Sequence, residues 1–167
     1  MTLFTELPDE ARLWIFAADR PLSDAESQTL LETLAPFLNE WTAHGLPVRG
    51  QAAVLHHRFL LLAGYVLDGE ISGCSIDAAT RAVNAAARKL GISWVSPLVI
   101  FYRDAEGTVQ HATRGQFRRL IAEGKVTAET PVFDLSLTTV GALRSGAFEK
   151  PAGRSWHARV FALAPQL

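Results

Sequence analysis

The run FLLLAGYV, from Phe59 to Val66, is the longest apolar stretch of the chain and is bounded by Arg58 and Asp68. It is far shorter than the ~20 residues that a membrane-spanning helix requires. It predicts a strand that is apolar on both faces, which suits a central position in a sheet covered on both sides. A fold that buries such a strand must be layered. At 167 residues the chain suits one domain, or a domain with a modest appendage, and a body of this size buries roughly 70% of the surface its unfolded chain exposes.

The neighbouring segments supply the layers. RLWIFAAD (Arg12 to Asp19) reads as a strand that leaves its sheet at Pro21. Ser23 followed by Glu26 has the form of a capping box, in which two side chains satisfy N–H groups left unpaired in a helix's first turn. Leu30, Leu34, Phe37, Leu38 and Trp41 then recur at three- and four-residue intervals as one apolar stripe. Pro36 predicts a bend or break in this helix, and Gly45 after His44 its left-handed stop. Two strands hinged near His56 to Arg58 follow. A second helix is expected from Asp77 to Leu90, ending at Gly91, with Ile76, Thr80, Val83, Ala87 and Leu90 as its inner stripe.

Further along, PLVIFYRD and TVQHAT read as strands joined by the turn AEG, and a third helix from Gln116 to Glu123 stops at Gly124. TPVFDL is extended, TTVGALRS is short and helical with Thr138 and Thr139 as its cap, and the tail GRSWHARVFAL suits either state. The order strand, helix, strand, strand, helix, strand over residues 12–103 is that of the split βαβ, ferredoxin-like motif. The predicted fold class is therefore α+β. A ferredoxin-like βαββαβ first part covers residues 1–94 and a smaller α+β part covers residues 95–167. GISWVSP (Gly91 to Pro97) is the joint, too short and apolar for a flexible linker, so the two parts are expected to pack as one compact unit.

Charge and cysteine usage exclude several functions. Sixteen basic and seventeen acidic side chains leave a net charge of −1, so no net positive field draws the chain to nucleic acid or to an anionic membrane. Glu6, Asp9 and Glu10 stand where a secretion signal would be positive. The one cysteine, Cys74, allows no internal disulfide and no paired-thiolate metal site. The expectation is a cytoplasmic protein without cofactor or metal. His56 and His57, if in a strand, point to opposite faces, and no histidine pair has the spacing of a zinc protease.

Three stretches, WTAHG (Trp41 to Gly45), SGCSID (Ser72 to Asp77) and SWHAR (Ser155 to Arg159), together with TTVGAL (Thr138 to Leu143), resemble a family of small uncharacterised bacterial proteins whose members often carry the label ABC transporter ATPase. That label implies a phosphate-binding loop ending in Gly-Lys-Ser/Thr, which this sequence does not contain, so ATP hydrolysis is not expected. Residues 98–134 locally resemble GYF-type adaptor modules, through FRRLIAEGKV and the following TPVF. The resemblance implies a hairpin, a helix and a further strand, and a proline-rich peptide as partner. The hairpin lacks the glycine-proline pair and much of the aromatic lining of such modules.

The candidate site gathers residues from the resembling stretches. If the second helix starts beside SGCS, its free N–H groups and dipole favour an anion at Ser72, Gly73, Cys74, Ser75 and Asp77, or a thiolate at Cys74. The simpler reading makes Cys74 a small buried residue. A nucleophilic Cys74 needs a base, for which His44 and His157 are the candidates. An extended tail sets His157, Arg159 and Phe161 on one face, where imidazole and guanidinium could clamp an anion; alternatively His157 bonds to nearby backbone. The leading expectation is a non-enzymatic binding protein with a small anionic ligand near SGCSID. A Cys74 thiol enzyme and a peptide-binding adaptor are the alternatives, and the oligomeric state is left open.

Overall fold

The structure is a computed structural model that describes residues 3–163. Its elements begin with β1 (Arg12–Ala17), α1 (Asp24–Glu40), β2 (Thr42–Ala43), β3 (Leu46–Pro47), β4 (Arg49–Leu55), β5 (Phe59–Tyr65) and α2 (Gly73–Leu90). The chain continues with β6 (Ile100–Arg103), β7 (Val109–Ala112), α3 (Arg114–Ala122), β8 (Pro131–Phe133), α4 (Val140–Arg144), β9 (Glu149–Pro151), a 3-10 turn (Ala152–Arg154) and α5 (His157–Val160). The fold is α+β and divides into two units. One comprises Met1–Val95 with Leu137–Ser145, the other Ser96–Ser136 with Gly146–Leu167.

In the first unit β5 is the central strand of a sheet ordered β1–β5–β4, antiparallel throughout. Phe59 to Ala63 are all buried, as the apolar run requires. Leu60 and Leu62 share one face with Trp14 and Phe16 and pack with Leu30 and Leu34 of α1 and with Ala79, Val83, Ala86 and Ala87 of α2. Burying each such leucine contributes roughly 1.5–3 kcal/mol. On the free edge of β1, Ala18 bridges to Trp94, and the Asp19 and Val95 amides donate to Ser93 and Ala17 carbonyls. The segment Leu137–Ser145 belongs to this unit through backbone bonds from Leu13 N to Thr138 O and from Val140 N to Ala11 O. Thr139 caps α4 by accepting from Ala142 N.

Several local expectations change in detail. Helix α1 has its capping box at Ser23 and Glu26, and it continues through Pro36 to Glu40. His44 and Gly45 lie beyond it, as the two-residue turn between β2 and β3. Both have positive φ, 52° and 78°, as the primed turns of short hairpins demand. His56 and His57 likewise occupy the turn between β4 and β5, with φ of 54° and 55°, rather than a strand. Helix α2 starts at Gly73, earlier than expected, and buries Ser75, Ala79, Val83, Ala86 and Ala87. Val83 and Ala87 are buried and Leu90 packs partly against the core as the predicted stripe has it, while Ser75, Ala79 and Ala86 take the inward places in place of Ile76 and Thr80.

Trp41 organises this unit. Gly50 and Gly64 are cross-strand partners on β4 and β5, and a Cβ on either would stand 2.9 or 2.8 Å from the Trp41 ring. Only glycine leaves room for the indole at that seat. The ring's Nε1 donates to Ser75 O at 3.0 Å, and the Ser75 hydroxyl donates to Thr42 O at 2.7 Å. One side chain thereby ties the end of α1, two strands and the start of α2.

The second unit is a four-stranded antiparallel sheet ordered β7–β6–β8–β9, with α3 and the tail supplying its core. Thr113 and Gln116 form a capping box at the start of α3. Phe117 is fully buried, with the Phe161 ring 4.9 Å and the Tyr102 ring 5.8 Å away. Arg103 reaches Glu149 through two nitrogens at 2.6 and 3.0 Å, linking β6 to β9. The tail is helical at α5, where Phe161 N donates to His157 O. His157 is buried and Arg159 exposed, so the shared face of an extended tail does not form.

Candidate anion-binding site

The SGCSID residues lie at the first turns of α2 in the first unit. Ser72 is the N-cap, accepting from Ser75 N, and its hydroxyl also meets that of Ser75 at 2.7 Å. Ser75 is buried and bonded to Thr42, so both hydroxyls are engaged by the fold. Cys74 is exposed, not the small buried residue of the simpler reading, because it occupies the outward side of the turn whose inward side is Ser75. Gly73 and Asp77 are exposed as well. His44 is exposed at its hairpin turn in the same unit. His157 and Arg159 belong to the other unit.

Within the second unit, His157 is 1% exposed and its Nδ1 lies 2.7 Å from the Ser155 hydroxyl. That hydroxyl also donates to Ala152 O and accepts from His157 N. The pair closes a local turn at the start of α5, and the serine proton already has a backbone acceptor, which is a poor beginning for a nucleophile. Burial lowers the His157 imidazole to a pKa of about 4; Asp134 opposes that shift, and the positive charges of Lys150 and Arg114 add to it. The ring is therefore neutral near pH 7, and a positive field reaches it.

That field belongs to an open hollow of about 840 Å³ walled by Arg114 at the first position of α3, Lys150 of β9, Arg154 of the 3-10 turn and Arg159 of α5. Asp134 is the one carboxylate in the wall. It is 8% exposed, and its Oδ1 accepts from the amide and hydroxyl of Ser136. Among the described residues, none of the four cationic side chains forms an ion pair. Trp156 completes the wall. Its ring stacks on His157 at 3.8 Å, and the Arg114 guanidinium stands 6.0 Å from its centre. Arg114 Nε and Trp156 Nε1 are both shielded from solvent and lack an acceptor, an arrangement that costs roughly 1–3 kcal/mol per donor unless a partner arrives.

Sequence reasoning found Arg159 but missed Arg114, Lys150 and Arg154. The signal was present in the charge distribution: the second unit carries eight basic and six acidic residues, the first eight and eleven. A chain-wide sum of −1 hides that division. Among the described residues no three His, Cys, Asp or Glu side chains cluster as a metal site would need, and no helix is long and apolar enough to cross a membrane. No family model, curated protein or solved structure matches the chain.

Proposed function

We propose that this chain is a non-enzymatic binding protein whose second unit captures a small anionic ligand in the hollow walled by Arg114, Lys150, Arg154 and Arg159. The carrying observation is four cationic side chains and one carboxylate, Asp134, around one hollow, with no ion pair among the described residues for any of the four. Folded proteins usually pair or solvate such groups singly; converging guanidinium forks match carboxylate and phosphate geometry. The reading puts the site in the second unit and not at SGCSID, where the Ser72 and Ser75 hydroxyls serve the first turn of α2. Calorimetric titration of the whole chain with small anions tests the reading. Binding that weakens in Arg154→Ala and Arg159→Ala, both exposed positions, is expected; absence of heat and of thermal stabilisation with every anion would overturn it.

The same reading takes the first unit as ferredoxin-like, supported by the order β1–β5–β4 with Trp94 bridging beyond β1. The second is taken as GYF-like on the strength of its hairpin, helix and following strand. A cytoplasmic setting fits the single thiol. A second reading, a thiol enzyme at Cys74, rests on one observation: that side chain is exposed in the first turn of the 18-residue helix α2. Alkylation by iodoacetamide at neutral pH, faster than for a free thiol, is the expected result of that reading. A rate equal to that of free cysteine would remove it.

A further inference from the structure

We infer that the occupant of this hollow is a phosphorylated small molecule, held by its phosphate head at Arg114, Lys150, Arg154 and Arg159, rather than a carboxylic acid. The inference rests on the anion-binding reading above. The hollow is open to solvent, and an exposed ion pair adds little. A single carboxylate charge therefore gains little there. A phosphate monoester brings a charge of about −1.5 to −2 at neutral pH and three strong acceptor oxygens.

Donor direction gives the second argument. Arg114 arrives from the start of α3, and Lys150, Arg154 and Arg159 from successive elements of one stretch, β9, the 3-10 turn and α5. A tetrahedral head accepts from several directions, whereas a carboxylate offers two coplanar oxygens. Size gives the third. A hollow of about 840 Å³ far exceeds one water's share of about 30 Å³, so inorganic phosphate alone leaves most of it wet. Ser136 and the Gly153 backbone suit a polar, hydroxylated body attached to the head.

The charged and titratable groups at the site are Arg114, Asp134, Lys150, Arg154 and Arg159, with His157 behind Trp156. Guanidinium groups stay charged in proteins, and burial keeps His157 neutral down to about pH 4. Between pH 5 and 7.5 the ligand's own charge grows, since a phosphate monoester loses its second proton near pH 6. The experiment titrates the whole chain with glycerol 3-phosphate, inorganic phosphate, succinate and acetate at pH 5 and pH 7.5, following heat and tryptophan fluorescence. Glycerol 3-phosphate is expected to bind tightest, about tenfold better at pH 7.5 than at pH 5, and to weaken about tenfold in Arg159→Ala, with Arg154→Ala as a second exposed variant. Succinate binding as tightly as glycerol 3-phosphate at pH 7.5 would overturn the phosphate assignment and leave the anion site standing. Silence from all four ligands would end both. Binding of a phosphoserine peptide alone would overturn the small-molecule assignment, and phosphate binding untouched in both variants would place the site elsewhere.

Discussion

The two units treat their polar groups in opposite ways. In the first, the groups that stand out in the sequence are engaged by the fold: Ser72 caps α2, Ser75 holds Thr42, and Trp41 Nε1 holds Ser75. In the second, Arg103 pairs with Glu149, but the four cations around the hollow form no ion pair among the described residues and share one carboxylate, Asp134, in its wall. A polar residue that closes a turn and one left over for a ligand look alike in sequence. The difference is whether a partner lies within reach after folding, and that difference can be measured as stability against binding.

The largest expected effect tests an exception, the buried His157 of the second unit. Its folded pKa of about 4 lies below the ordinary 6.5, so the unfolded chain takes up a proton first as pH falls. Its contribution is fully present above pH 6.5, declines below that, and is lost near pH 4, on the order of 3 kcal/mol at most. Urea unfolding at pH 7, 5.5 and 4 should show a steeper loss for the native chain than for His157→Gln; equal slopes would mean the ring is solvated. Next comes the Trp41 seat. Gly64→Val drives a side chain into the indole and should cost about 1–3 kcal/mol or more by thermal unfolding, and a neutral result would show that the ring is free to shift.

A matched pair sharpens the contrast directly. Ser75→Ala leaves the Thr42 carbonyl without its donor and should lose about 1–3 kcal/mol of stability with anion binding retained. Arg159→Ala should stay within about 0.5 kcal/mol of the native chain while binding the anion about tenfold more weakly. Equal destabilisation by both would erase the distinction between the units. The smallest effect is expected for Cys74→Ser: an exposed side chain should change stability by less than about 0.5 kcal/mol, so a larger loss in unfolding would show packing around the sulfur.

The α+β class and most elements were legible because they rest on periodicity and punctuation. The run at Phe59 to Ala63 declares a two-sided strand, Ser23 and Glu26 declare a helix start, and Gly91, with φ of 64°, ends α2 as expected. Short elements were less legible. The turn at His44 and Gly45 resembles a helix stop because both need positive φ, and the four residues of α5 are too few for a period to show. The hollow escaped for another reason. Arg114, Lys150, Arg154 and Arg159 stand singly along the chain with no run of charge to mark them, and only the four-stranded sheet and the tail bring them to one wall.

The glycine pair beneath Trp41 also bears on how the first unit comes apart. Since a single indole closes one helix, rests on two strands and anchors the start of another helix, none of these can fray far without withdrawing the ring from the rest. Melting there should be all-or-none, and amide hydrogens near Gly50, Gly64 and Ile76 should exchange with solvent at one common, slow rate.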